Sequence, residues 1–297
     1  MDLIKMDIFS ICTAAAWDIE FKQHEQESAL SDLESGKIIF CPQLSFNIEP
    51  SERMLFIPYI INKKTKNISF NLKKNHLKGI KADQKHQTCL KSMLVRFSKQ
   101  ADCFMNSLFS QYNNSLILGR TSYRPVQIRT RKSSARKDDR RLHIDAFAAN
   151  PNQGHRIVRL FCNINPYGEH RVWRIGESFE EVAQRFFPKI NRPIPGSAKL
   201  LHWLGITKSI RTHYDHIMLK IHDGMKLDQD YQKQVKYKEV SFPPDTSWIV
   251  STDQVSHAAI SGQYLLEQTF HLPTTAMINP SSAPLHILEK LSGYCLT

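Results

Sequence analysis

Long apolar runs are missing from this chain. The longest is MLFIPYII, residues 54–61, far short of the roughly 20 residues a membrane-spanning helix needs. The sequence thus predicts no transmembrane segment, and any membrane contact would be peripheral. The opening MDLIKMDIFSICTAAAW has only a short apolar centre flanked by Asp2 and Asp7, so it does not read as a secretory signal. Six cysteines (Cys12, Cys41, Cys89, Cys103, Cys162 and Cys295) are scattered without CxxC or zinc spacing. They read as free thiols of a cytosolic protein rather than as a disulfide framework. A phosphate-binding loop, a dinucleotide fingerprint, a Ser-His-Asp order and an internal repeat are all absent. Acid is scarce as well: 28 Asp+Glu stand against 40 Lys+Arg, a net charge of +12. Such a surplus implies an anionic partner, whether nucleic acid, an acidic membrane surface or a phosphorylated substrate.

What is present is an ordinary globular composition, 297 residues at 41% hydrophobic, enough for a sizeable core. Residues 1–115 read as mixed and mainly helical. DLESGKIIFCPQLSF gives a short helix, a glycine turn and a strand. In residues 86–112, Leu90, Met93, Leu94, Phe97, Ala101, Phe104, Met105 and Leu108 follow the spacing of an amphipathic helix packed on a core. From residue 116 the texture changes to short β-branched and aromatic segments, SLILG, RPVQIRT, RLHIDAF, RIVRLFCNINP, HRVWRIG and SWIVSTDQV. Pro and Gly punctuate them, which predicts a sandwich or barrel. Helical inserts are expected at 178–190 and 207–234, and a tail or packing helix at 273–297.

The chemistry concentrates where the basic run RTRKSSARKDDRR (129–141) gives way to RLHIDAF. On a strand, His143 and Asp145 share a face about 6–7 Å apart. One imidazole and one carboxylate are two-thirds of the facial triad that holds non-haem Fe(II). His257, 112 residues after Asp145 and just beyond an apolar strand, supplies the third ligand. An H-x-D tripeptide alone is a weak signal, since a buried His-Asp pair is often only a satisfied hydrogen bond. THYDH offers the rival pair His213 and Asp215, but Ile210, Tyr214, Ile217, Met218, Ile221 and Met225 place it on a helix. There, positions i and i+2 diverge. Asp215, His216 and His222 then read as polar lining or surface groups.

Several phrases match one family in order: LGRTSYRPV, ARKDDRRLHIDAF, RIVRLFCNINPYGEHRVWRIGESFEEVA, YDHIMLKIHDGMK and TDQVSHAAISGQYLLEQTFHLP. From about residue 29 to 272 the chain closely resembles the Kdo (3-deoxy-D-manno-oct-2-ulosonic acid) 3-hydroxylases, Fe(II)- and 2-oxoglutarate-dependent dioxygenases of Gram-negative bacteria. The resemblance implies an α+β fold, a double-stranded β-helix (cupin-type jelly roll) with an N-terminal mainly helical region and helical inserts. Residues 1–115 would then pack on the barrel, 116–272 would form the catalytic core, and 273–297 would be a C-terminal tail or helix. It implies His143, Asp145 and His257 as iron ligands, with dioxygen and 2-oxoglutarate as co-substrates. The implied reaction hydroxylates C3 of a Kdo sugar on lipid A to give Ko.

A cationic protein suits such a substrate, which lies at an anionic surface; the chain is expected in the cytoplasm, peripheral to the inner membrane. Arg120, Arg124, Arg136 and Lys137 are the candidates to read its carboxylates and phosphates. Many related oxygenases carry a cation soon after the second histidine to hold the 2-oxoglutarate carboxylate. YLLEQTF offers only Gln268 there, so Arg159 is the alternative anchor. Asn163 joins it by period-2 alternation on RIVRLFCNINP. Two other readings compete: a JmjC-like oxygenase of protein or RNA, and a non-catalytic module binding anionic lipid or nucleic acid. No platform of stacking aromatics supports a single-strand nucleic-acid binder, so nucleic acid is not the expected partner.

Overall fold

The computed structural model describes residues 8–63 and 65–297. The N-terminal stretch judged not to be a signal begins in residues 1–7, outside the described residues. The chain opens with strand β1 (Phe9–Ile11), helix α1 (Gln23–Glu34) and strand β2 (Ile38–Cys41). A short hairpin, β3 (Ile68–Asn71) and β4 (His76–Lys78), precedes the long helix α2 (Gln84–Leu108). Asp83 caps α2 by accepting from the His86 amide at 2.9 Å, satisfying one of its free amide donors. Its apolar stripe from Leu90 to Leu108 is at most 1% exposed. Each such Leu, Met or Phe contributes about 1.5–3 kcal/mol of transfer free energy, as an upper bound.

Strands β5 (Ile117–Arg124), β6 (Arg156–Asn163) and β7 (Arg171–Ile175) follow. β5 ends just before Pro125, which has no amide to give to a ladder, so RPVQIRT continues as a loop. Four helices come next: α3 (Phe179–Phe186), α4 (Ser197–Trp203), α5 (His213–Leu227) and α6 (Gln229–Gln234). The chain closes with β8 (Lys238–Phe242), β9 (Thr246–Ser251), β10 (His257–Ser261), β11 (Leu265–Leu272) and α7 (Pro284–Ser292).

The fold is a jelly roll of two sheets. The larger runs β1-β2-β9-β6-β11-β5-β3-β4, and the smaller runs β10-β7-β8. The N-terminal region does more than pack on this framework, because β1 and β2 extend one edge of the large sheet and β3 and β4 the other. Strands β6 and β9 are buried along their whole length. Leu160, Cys162, Ile249 and Leu266 face α2, while Phe161, Trp248, Val250 and Leu265 face the small sheet. Phe242 stacks on Trp248 at 3.9 Å, and Trp173 packs edge-on against Phe161 at 5.1 Å. A third cluster lies beneath α3, α5 and α7.

RLHIDAF differs from its expected form. It is not a ladder strand but an extended segment joined by one isolated antiparallel bridge, His143 to His257. Its other backbone groups are held individually: the Gln232 side chain takes both the amide and the carbonyl of Leu142, and the Asp145 amide donates to the Thr252 carbonyl. The rival THYDH opens α5, where Thr212 and Asp215 form a reciprocal cap and Asp215 also accepts the amides of Asn152 and Gln153. Its carboxylate is fully used in holding two chain segments together.

Candidate active site

His143 and His257 are joined backbone to backbone, each amide donating to the other's carbonyl at 3.0 and 2.9 Å. The rings stand 4.6 Å apart. His143 Nδ1 lies 2.7 Å from the Arg141 carbonyl, and His257 Nδ1 lies 2.8 Å from the Val255 carbonyl. A carbonyl can only accept, so each Nδ1 carries the hydrogen and each Nε2 keeps a bare lone pair. Asp145 completes the group: the donor atoms of the three residues lie within 4.8 Å of one another. Its two oxygens divide their work. Oδ1 faces His143 Nε2 at 3.8 Å, and Oδ2 pairs with Arg159 Nη2 at 3.1 Å.

Electrostatics keep all three in ligand form. Burial lowers the pKa of both imidazoles, so they stay neutral near pH 7. Burial acts to raise the Asp145 carboxyl, but the Arg159 guanidinium beside it outweighs that and holds it well below the usual carboxylate range. Two neutral Nε2 atoms and one carboxylate oxygen, with second hydrogen bonds fixing the imidazoles, fit a divalent ion of the iron type. Trp173 stacks on the His257 ring at 5.1 Å and closes one side.

The triad sits in a cavity of about 580 Å³ between the two sheets, large enough for a sugar and a small dicarboxylate. Eight lysine and arginine side chains line it against three carboxylates, a surplus that calls for anionic guests. Glu267 bridges two of the cations, Arg124 Nη2 at 2.7 Å and Arg159 Nη1 at 3.2 Å. Asp139 collects Lys66 at 2.5 Å and Lys226 at 3.5 Å. Arg171 differs from these. It is 3% exposed, its Nη1 donates to the Gly262 carbonyl, and it has no carboxylate within ion-pair distance among the described residues. Its buried Nε has no acceptor. Burial, and then repulsion from Arg124, bring its guanidinium down to about 9, still protonated near neutrality.

Of the other residues singled out from the sequence, Arg120, Arg124, Arg136 and Arg159 line this cavity. Three do not. Lys137 borders a separate, smaller depression beyond Asp139, because the short helical turn at Ala135–Lys137 points successive side chains apart. Gln268 is fully buried on the opposite face of β11, where it accepts from Thr121 and donates to the Thr269 carbonyl. Its neighbours Glu267 and Thr269 face the cavity instead. Asn163 is spent on architecture, donating to the Glu169 and Phe242 carbonyls at 3.1 Å each. Sequence reasoning missed Arg171, Trp173, Lys226 and Glu267. A signal existed for the first two, since Arg171, Trp173 and Ile175 are the buried positions of a strand whose alternate residues are half exposed. His222, read as lining or surface, is lining: its ring meets that of His143 edge-on at 5.5 Å.

His271, on the cavity wall, gives the apo protein a pH dependence. Burial, with His155 and Arg159 nearby, lowers its pKa to about 4, against about 6.5 unfolded. The unfolded chain thus binds the proton more readily, and stability falls as pH drops from about 6.5 towards 4. Urea unfolding of the apo protein at pH 7 and pH 4.5 should show this loss, reduced in His271→Gln. An equal loss in the variant would assign it to other groups.

A model of the 3-deoxy-D-manno-oct-2-ulosonic acid (Kdo) hydroxylase family matches residues 16–295. No match was found among curated proteins. Among solved structures, the chain is similar to the Kdo hydroxylase KdoO, a non-haem Fe(II) α-ketoglutarate-dependent dioxygenase, in complex with α-ketoglutarate and Fe(III). The identity is 42%, the match covers 97% of each chain, and the TM-score is 0.93. The same enzyme in complex with cobalt(II) matches at 42% identity over 98% of this chain and 97% of that one, with a TM-score of 0.94. The family model spans nearly the whole sequence and the likeness in fold nearly the whole of both chains; the chain belongs to the Kdo hydroxylase family.

Proposed function

We propose that this protein hydroxylates C3 of a Kdo sugar in Kdo-lipid A, giving Ko, with Fe(II) held by His143, Asp145 and His257 and with 2-oxoglutarate and dioxygen as co-substrates. The observation that carries the proposal is the pair of Nδ1-to-carbonyl hydrogen bonds, which aim two bare imidazole nitrogens beside one carboxylate inside a cation-rich cavity. Bound iron supplies the activation of dioxygen that no side chain can perform. The protein's residues supply placement. Arg171, the buried cation without a counter-ion, takes a carboxylate of 2-oxoglutarate, because only an anion completes its donor set. Arg159 and Arg124, held apart by Glu267, form the neighbouring wall. Arg159 lies over the Phe147 ring at 5.5 Å, and Phe161 and Trp173 keep the interior apolar enough to exclude bulk water. Arg120 and Arg136 are more exposed and are suited to the sugar carboxylate and lipid A phosphates. We assign the reaction to the cytoplasmic face of the inner membrane. No helix among the described residues is long and apolar enough to cross a membrane, so the contact proposed is peripheral. Basic residues near an anionic bilayer contribute about 1 kcal/mol each.

The test is anaerobic loading with Fe(II), then aerobic incubation with 2-oxoglutarate and purified Kdo-lipid A, read by mass spectrometry. One oxygen gained on the sugar, dependent on 2-oxoglutarate, is the expected result. Protein that holds iron and consumes 2-oxoglutarate while the substrate stays unmodified would overturn the substrate assignment. Within this scheme, Arg171→Met should raise KM for 2-oxoglutarate about 10- to 100-fold, the worth of one charged hydrogen-bond pair. Arg171→Lys should restore part of it. A variant with unchanged KM would move the carboxylate to another cation.

A further inference from the structure

Six of the fifteen exposed large hydrophobic side chains among the described residues fall within one segment, residues 194–210. Trp203 is 80% exposed and Ile194 78%, with Leu200, Leu204, Ile206 and Ile210 beside them. Their side chains are at least 45% exposed, whereas Thr207 in the same segment is buried. The segment's short helix α4 lies between Gly196 and Gly205, both in the left-handed region, and a Cβ at either would meet nothing within 4 Å. Such a concentration of apolar surface marks an interaction site. The charge around it indicates the partner: residues 182–214 carry six Lys and Arg and no Asp or Glu. Its base is tied to the cavity. Lys208 N donates to the Ala149 carbonyl at 3.0 Å, and Arg211 Nη2 to the Ala148 carbonyl at 2.5 Å. These carbonyls belong to the loop that follows Asp145 and lines the cavity through Ala146, Phe147 and Asn150. Lys208 also lies within electrostatic reach of Arg120, Lys74 and Lys78, and Arg120 is itself a cavity-lining residue.

We propose that residues 194–210 form a membrane-docking element. Trp203 and its aliphatic neighbours enter the boundary between headgroups and acyl chains of an anionic bilayer. Arg192, Lys199 and Lys208 bind lipid phosphates, and the cavity mouth is thereby turned towards the membrane. Exposed tryptophan prefers this boundary, and apolar insertion combined with basic flanks is how peripheral proteins gain affinity for anionic lipid. The proposal rests on the lipid-linked substrate put forward above, since a docked mouth would receive that sugar without its acyl chains leaving the bilayer.

The experiment is co-sedimentation of the full-length protein with vesicles of phosphatidylcholine alone or mixed with phosphatidylglycerol. Wild type should bind the anionic vesicles, weaken with salt, and ignore the neutral ones. Trp203→Ser/Leu204→Ser should lower partitioning at least about ten-fold. Lys199→Glu/Lys208→Glu should lower it too. Both variants should keep the wild-type melting temperature and Fe(II) binding. Wild type that stays in solution, or variants that sediment like wild type, would overturn the proposal. So would a wild-type dimer, seen by light scattering, that Trp203→Ser/Leu204→Ser dissociates without any change in sedimentation. Sedimentation that depends on Trp203, together with no oxygen gained on Kdo-lipid A, would support the docking surface and remove the substrate.

Discussion

Asp145→Asn should leave a folded protein that has lost its iron and at least about a thousand-fold in kcat/KM. The substitution keeps the volume and leaves an oxygen for Arg159, but it exchanges the one anionic donor of the triad for a neutral amide. Two imidazoles remain, and a neutral set of two nitrogens holds Fe(II) weakly. Losing a hydrogen-bond partner behind a metal ligand already costs about 10- to 100-fold, and losing the ligand's charge exceeds that. His143→Ala should behave similarly through loss of Nε2. Iron content measured with a chromogenic chelator, alongside 2-oxoglutarate consumption and a melting curve, separates loss of metal from loss of fold. An Asp145→Asn protein that retains iron and turns over would show that the ion is held elsewhere.

The largest effect on stability is expected outside the triad, at Arg156. This side chain is 2% exposed and pairs with the fully buried Asp253 at 2.8 Å, while its Nη2 donates to Gln254 at 2.7 Å. Arg156→Met leaves the Asp253 charge buried and uncompensated, which costs about 3–5 kcal/mol and roughly 10 °C of melting temperature. Removing both charges in Arg156→Met/Asp253→Asn should recover most of that loss, because the penalty belongs to the orphaned ion rather than to the missing pair. A single variant melting within about 2 °C of wild type would mean that Asp253 is neutral in the fold. The pair also bears on the site. Arg156 stands three residues before Arg159, and Asp253 follows Thr252, whose carbonyl holds the Asp145 amide.

His143 and Asp145 were legible because an extended H-x-D turns both side chains to one face at short range, whereas His257, 112 residues after Asp145, was tied to them by residue type and by the family resemblance. α2 was legible for a similar local reason, as its apolar stripe from Leu90 to Leu108 repeats over about five turns. Strand parity was not. β11 is buried on both faces for nearly its whole length, so no alternation showed that Glu267 faces the cavity and Gln268 faces α2. A shift of one residue exchanges the two faces. Asn163 shares its side of β6 with Arg159 and Phe161, yet stands past the end of the cavity, where the turn at Glu169 takes its amide. Arg171 and Lys226 were hidden by residue type, since buried cations are rare and a lone Arg or Lys reads as surface. The isolated bridge at His143 could not be told from a ladder, because pairing partners more than 100 residues apart leave no local trace.

The two hydrogen bonds from imidazole Nδ1 to the carbonyls of Arg141 and Val255 have a consequence for metal economy. They assemble the donor set before any ion arrives, so the apo site meets every divalent metal in the same posture. Nitrogen and carboxylate donors rank those metals in the Irving–Williams order, with Fe(II) below cobalt, nickel and copper. Donor type alone therefore does not select iron: its occupancy should follow which ions the cell leaves free, and added cobalt or nickel should compete for the seat and stop turnover.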